Sequence, residues 1–255
     1  MLYLMHRQQT QTQRHILMTS SIREESGRTA KAEGHKFEHT VSDMLTEMFS
    51  HKFKVEGASN TKIDVRSEDS KIRLSVKNPS GKNTQIGLYT QKSFQEAMNI
   101  TDNDIQDFIS KFFGGANYAD YPRHRMSKDD IDPALNEKFT QFLNDNTSKL
   151  LSLLATHGHK QVGDVNFLVW ATKKNDPSSV LLIDLAEFKE ALAQGEWKQN
   201  ATTFEFVVEG KKLFHLQMKG SGEKFTNGYH SLMFHVHNNF DAKYVRDLTV
   251  LKELL

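Results

Sequence analysis

The chain has no cysteine and only 4 prolines in 255 residues. Without cysteine there is no disulfide scaffold, thiol nucleophile or thiolate-bound zinc. No apolar run approaches the ~20 residues of a membrane span. The opening MLYLMHRQQTQTQRHILM also lacks the continuous apolar core of a secretory signal. An excess of one charge is missing too. Lys and Arg number 33 against 32 Asp and Glu, a net +1, so binding to a polyanion would need local clustering. These absences point to an intracellular, cytoplasmic protein with no membrane partner. The residues that are present, 37% hydrophobic and 10% aromatic, suffice for a packed core. The length predicts about one to two domains.

Residues 1–17 are rich in Gln and Thr and have no period, which reads as a disordered or extended tail. A basic arm carrying Arg7 and Arg14 is the functional alternative. A second methionine, Met18, opens the stretch 18–255 expected to fold. In Glu33–Phe49, Phe37, Val41, Met44, Leu45 and Met48 recur at helical spacing. Lys62–Arg66 and Lys71–Lys77 alternate apolar and polar residues around Ser67-Glu68-Asp69-Ser70, a hairpin signature. Tyr89 to Gly114 predicts one or two helices broken near Asn99–Thr101, and 114–133 a loop. A long helix is expected over Asn136–Thr156, strands over Val165–Thr172 and Val180–Asp184, and a short helix over Leu185–Gln194. A second hairpin pairs Thr203–Val208 with Leu213–Lys219, Leu232–His237 is a late strand, and Ala242–Leu255 is a closing helix. This order predicts one α/β (α+β) domain with a mixed central sheet flanked by helices.

The first hairpin carries the chemistry. Period-two alternation puts Ile63 and Val65 on one face, with Lys62, Asp64 and Arg66 on the other. On the second strand Ile72, Leu74 and Val76 are apolar, and Lys71, Arg73, Ser75 and Lys77 share the polar face. With Glu68-Asp69 at the turn centre, Asp64 faces Arg73, and Ser75 is its diagonal neighbour at about 7–8 Å. An acid beside a lysine suits metal-assisted phosphodiester cleavage. The carboxylate binds a hard cation such as Mg²⁺, which polarises the phosphate and lowers the pKa of a bound water. Lys77 then orients that water or balances the developing charge. One acid is a poor magnesium site, so Glu38 in the preceding helix is the candidate second ligand, and the Val76 carbonyl a third. The same residue types on a hairpin are, in isolation, more often a solvated face. Residues 71–92, however, hold Lys71, Arg73, Lys77, Lys82 and Lys92 and no acid. With Asn78, Ser80, Asn83, Thr84 and Gln85 they read as a loop against a phosphate backbone, with amides reaching bases.

Asp64, followed by Ser75-Val76-Lys77, resembles the core of the PD-(D/E)xK nucleases. Two departures mark it: Ile63 precedes the Asp where a Pro is usual, and Ser75 replaces the usual acid. The wider chain is similar to the small type II restriction endonucleases of the HinP/MspI group, which cut short palindromes and also carry a non-acidic residue two before the catalytic lysine. The likeness runs through Gly27–Lys31, Gly34, Phe37-Glu38, Lys62–Val65, Ser75–Lys77, Asn83–Ile86, Gly163-Asp164 and Gln217–Gly220, about 27–240 in all. It implies a restriction-endonuclease-like fold and a Mg²⁺-dependent, sequence-specific endonuclease acting on double-stranded DNA. Asp64 and Glu38 would be metal ligands, Lys77 the catalytic lysine, Ser75 the residue at the amide position, and Gln85 a base reader. A palindromic site is compatible with a homodimer. Arg28, Lys31 and Lys82 are candidate phosphate contacts, and Asn83 lies in the reading segment. The loop at 219–228, with Lys219, Ser221, Glu223, Lys224 and Asn227, is a second candidate reader, because its glycines permit close approach and its polar groups suit base edges. The alternatives are a PD-(D/E)xK nuclease without base specificity, in repair or phage DNA processing, and a degenerate DNA-binding protein. His157/His159 and His235/His237 have metal-like spacing, but no third ligand is identifiable.

Overall fold

The computed structural model describes residues 29, 31–56, 62–79, 83–114, 128–157, 164–218, 231–237 and 242–255. Phe37, Val41 and Leu45 form the buried stripe of a helix over 31–49 (α1), whereas Met48 in its last turn is half exposed. Alternating strands then build two sheets. The first is ordered β1 (Phe53–Val55), β2 (Val65–Ser67), β3 (Arg73–Lys77), β5 (Phe167–Ala171) and β6 (Val180–Asp184). Its β3–β5 pair is parallel and the rest antiparallel. The second is antiparallel throughout, ordered β4 (Asn83–Thr90), β10 (Ser231–His237), β9 (Lys211–Met218), β8 (Thr203–Val208) and β7 (Glu196–Asn200). The remaining helices are α2 (Gln91–Met98), α3 (Asn103–Gly114), α4 (Pro133–Asp145), α5 (Thr147–Leu151) and α6 (Leu185–Leu192). The fold class is therefore mixed α/β, as expected. Among the described residues no helix is long and apolar enough to cross a membrane.

Two cores lie on opposite faces of the first sheet. Val65, Ile72, Leu74, Val76, Val169 and Leu182 pack against α1 and the C-terminal turn at Leu248 and Leu251. Leu168, Trp170 and Ile183 point the other way, into a larger core shared with the helices and the second sheet. That core centres on Phe108, Phe112, Phe113, Phe139 and Phe204; Phe108 stacks on Phe139 at 4.4 Å between centroids.

Several elements differ from expectation for identifiable reasons. The first hairpin pairs Val65 with Leu74 and Arg66 with Arg73, so its loop is Glu68–Lys71 rather than a two-residue turn. Ser70 adopts φ +62° there, and the Ser70 N–H donates to the Ser67 carbonyl at 2.9 Å. The register is shifted by two residues, which preserves faces and places Asp64 opposite Ser75 instead of Arg73. Asp64 itself sits in a bend just before β2, so Ile63 packs into the larger core and Val65 into the other. Residues 83–90 form a strand, not a loop leading into a helix, and the helix begins only after the Thr90 cap. A bulge at Ile86 interrupts the alternation that would have revealed β4. The expected break near residues 99–101 is present, with Asn99 left-handed at φ +54°. The long helix stops at Asn146, whose side-chain amide donates to the Phe142 carbonyl at 2.9 Å, and continues as α5 and a π turn. Edge strand β7 buries only Trp197 and gave no pattern to read. The closing segment is two 3-10 turns, because Arg246 pairs with Leu182 between them.

Candidate active site

The shifted register gathers donors on one carboxylate. The Asp64 N–H donates to the Leu74 carbonyl at 2.8 Å, which fixes the bend against β3. Asp64 Oδ2 then accepts from the Ser75 hydroxyl at 3.0 Å, the Val76 N–H at 2.6 Å and the Lys77 ammonium at 3.1 Å. Oδ1 receives no donor among the described residues. Lys77 Nζ also donates to the Val76 carbonyl at 3.2 Å. Asp64 and Lys77 keep about a fifth of their side chains exposed, 22% and 20%, so the pair opens to solvent. Ser75 is buried, and its hydroxyl orients the carboxylate instead of facing a free ligand.

Glu38 reaches this group from α1. Its neighbours Phe37 and Val41 are pinned in the smaller core, which fixes the helix against the sheet. Burial raises the Glu38 carboxyl above its ordinary value, and the negative charge of Asp64 raises it further. The hydrogen bond with His35, at 3.0 Å between Nδ1 and Oε2, and the charge of Lys77 oppose the rise. Two carboxylates that repel each other offer oxygen donors of the kind a hard divalent cation takes. Among the described residues no group of three or more His, Cys, Asp or Glu is arranged to hold a metal. A bound cation would therefore rest on these two acids, the Val76 carbonyl and water.

Lys62 and His35 were not among the sequence candidates. Burial, joined by the like charge of Lys77 and opposed by Asp64, lowers the Lys62 ammonium to about 8. Its Nζ donates to the Ile86 carbonyl of β4. The signal was present, since Lys62 has the parity of Asp64, and His35 stands one helical turn before Glu38. Within the basic run at 71–92, Arg73–Lys77 and Asn83–Thr90 are strands and Lys92 lies in the first turn of α2, and several of its cations are paired. Lys71 meets Asp69 at 3.3 Å, Lys77 meets Asp64, and Lys92 meets Glu96 at 3.8 Å.

Of the candidate DNA contacts, Gln85 is exposed on β4 opposite His235, and Asn83 opens that strand opposite His237. Lys31 is exposed in the first turn of α1. Arg28, Lys82, Lys219, Ser221, Glu223, Lys224 and Asn227 lie outside the described residues, as do residues 1–17 and His159. His235 and His237 do share a face, with His237 Nε2 3.1 Å from His215 Nδ1 and His235 stacked on His215.

No protein-family model matches the chain, and no curated protein matches it in sequence. Solved structures similar to it include two endonucleases in complex with DNA. The restriction endonuclease MspI in complex with its cognate DNA is 11% identical with a TM-score of 0.45, covering 72% of this chain and 69% of MspI. The HhaI endonuclease in complex with DNA is 12% identical with a TM-score of 0.36, covering 86% of this chain and 97% of HhaI.

Proposed function

We propose that this chain is a Mg²⁺-dependent, type II restriction-like endonuclease that cuts double-stranded DNA at a short palindromic site. The observation that carries the reading is the convergence of Ser75, the Val76 N–H and Lys77 on Asp64 Oδ2, beside Glu38. Asp64, Glu38 and the Val76 carbonyl would hold Mg²⁺, which supplies polarisation of the scissile phosphate and a more acidic water. Ser75 and the Val76 N–H fix the Asp64 carboxylate through Oδ2, which leaves Oδ1 for the ion. Lys77, tethered to Asp64 and the Val76 carbonyl, orients the attacking water and balances charge on the phosphate oxygens. The water oxygen bonds to phosphorus as the bond to the 3′ oxygen breaks, leaving a 5′-phosphate and a 3′-hydroxyl. Gln85, exposed on β4, reads a base edge. Lys31, with Arg28 and Lys82, contacts phosphates.

Asp64→Ala and Lys77→Ala are each expected to abolish Mg²⁺-dependent cutting of unmethylated phage DNA, while DNA binding in a mobility shift stays within about threefold. Cutting retained in both variants overturns the site. The serine in place of an acid favours a second reading, a DNA-binding protein that no longer cuts. Salt-sensitive binding with no cutting in Mg²⁺ or Mn²⁺ would establish it. Discrete bands from the wild type support site specificity, and a smear supports a nuclease without it. A palindromic product end together with a dimer in solution would support a homodimer.

A further inference from the structure

The β4–β10 ladder changes step at one point. Phe234 opposes Gly87, but His235 opposes Gln85, so Ile86 is the extra residue of a bulge on β4. In an unbulged ladder His235 would face Ile86, and Val236 would face Gln85. Val236 is 1% exposed in the larger core, so an unbulged strand would turn the Gln85 side chain inward. The bulge is therefore what presents Gln85 on the polar face, in line with His235, which in turn contacts Gln217 at 3.1 Å. The Ile86 carbonyl accepts the Lys62 ammonium. Lys62 lies two residues before Asp64, and its charge is felt together with those of Asp64 and Lys77. One side chain thus joins the bend that carries the carboxylate to the bulge that sets the exposed amide.

We infer that Lys62 is a positioning residue that couples base reading to cleavage: by holding the Ile86 bulge carbonyl it keeps Gln85 in fixed geometry with Asp64 and Lys77. This rests on the proposed function and adds to it how recognition on one sheet reports to chemistry on the other. Neither a lysine in contact with DNA nor a purely structural lysine has that consequence. A phosphate contact would alter binding to all sequences alike. A structural lysine would lower stability and activity on every site in proportion.

The test compares wild type, Lys62→Met and Lys62→Arg, by cleavage kinetics with Mg²⁺ on the preferred site and its single-base variants, and by amide hydrogen exchange of the DNA-free proteins. In Lys62→Met the ratio of kcat/KM on the preferred site to that on the single-base variants is expected to fall about tenfold, the worth of one hydrogen bond from a charged donor. The loss should appear in kcat on the preferred site more than in KM, and exchange at Gly87–Tyr89 should quicken at least about tenfold. Lys62→Arg retains donors and is expected to restore both. An unchanged ratio with unchanged exchange in Lys62→Met overturns the inference while leaving the proposed function intact. A smear from the wild type overturns the site-specific reading and the coupling together. If Lys62→Met does not fold, Lys62→Gln takes its place: a fall in the ratio with faster exchange at Gly87–Tyr89 supports the inference, and an unchanged ratio overturns it.

Discussion

Asp69 connects turn chemistry to the candidate site. Its Oδ1 accepts from the Ser67 hydroxyl at 2.6 Å and the Lys71 N–H at 3.2 Å, which closes the loop Glu68–Lys71. That loop sets the register that places Asp64 opposite Ser75. The Ser67 hydrogen bond holds the Asp69 carboxyl down at about 2, with burial opposing it and Lys71 assisting. Because the folded value lies below the ordinary 3.8, the ionised carboxylate stabilises the fold at higher pH. That contribution is lost as the pH falls from about 3.8 through about 2. Asp69→Asn is expected to unfold at lower urea than wild type at pH 6, and the difference should shrink toward pH 2. A constant difference across urea titrations at the two ends of this range would refute the role. The parity of the hairpin was legible from the sequence. Its register was not, because it depends on the left-handed Ser70 and the Asp69 cap, both ordinary-looking polar residues.

Among elements, the passage from α6 into β7 leaves no room for a Cβ. The Gly195 N–H donates to the Leu192 carbonyl at 2.9 Å as the helix ends. A Cβ at Gly195 would lie 2.7 Å from both Phe206 Cε1 and Val208 Cγ2, which are buried on β8. The Phe206 ring cannot retreat, since Trp197 and Phe214 pack against it at 5.2 and 6.0 Å. Gly195→Ala should therefore cost about 1–3 kcal/mol of overpacking. For a domain of this size that is a fall in Tm of about 2–4 °C per kcal/mol. A calorimetric Tm equal to the wild type's would count against this packing. Elements with clean periods, such as α1, β8 and α6, could be read from the residues. Strand β4 could not, because its bulge breaks the alternation, and β7 offered one buried residue in five.

At the scale of the whole molecule, the first sheet serves two cores at once. Leu251 is fully buried on the α1 side, and Phe139 is fully buried on the other. Both tryptophans, Trp170 and Trp197, belong to the larger core. Leu251→Ala should cost about 2–5 kcal/mol and Phe139→Ala about 3–5 kcal/mol. Because the strands between the cores are shared, both variants are expected to shift one common transition. Tryptophan fluorescence should then report the unfolding of Leu251→Ala at the same urea concentration as circular dichroism. Fluorescence that stays at the wild-type midpoint while circular dichroism moves would show that the two cores unfold separately.

The residues alone determined the mixed α/β class, the amphipathic α1, the two hairpins and the shared parity of Asp64, Ser75 and Lys77. These follow from local periodicity, which a strand or helix imposes on its own residues. Only the tertiary structure decided which residues meet across elements. It placed Asp64 opposite Ser75, set Glu38 in the field of Asp64, brought Lys62 to the Ile86 carbonyl and paired Lys77 of the basic run with Asp64. Those contacts join positions distant in sequence. They depend on loop geometry, a bulge and the packing of one sheet against another, none of which leaves a periodic trace in the chain.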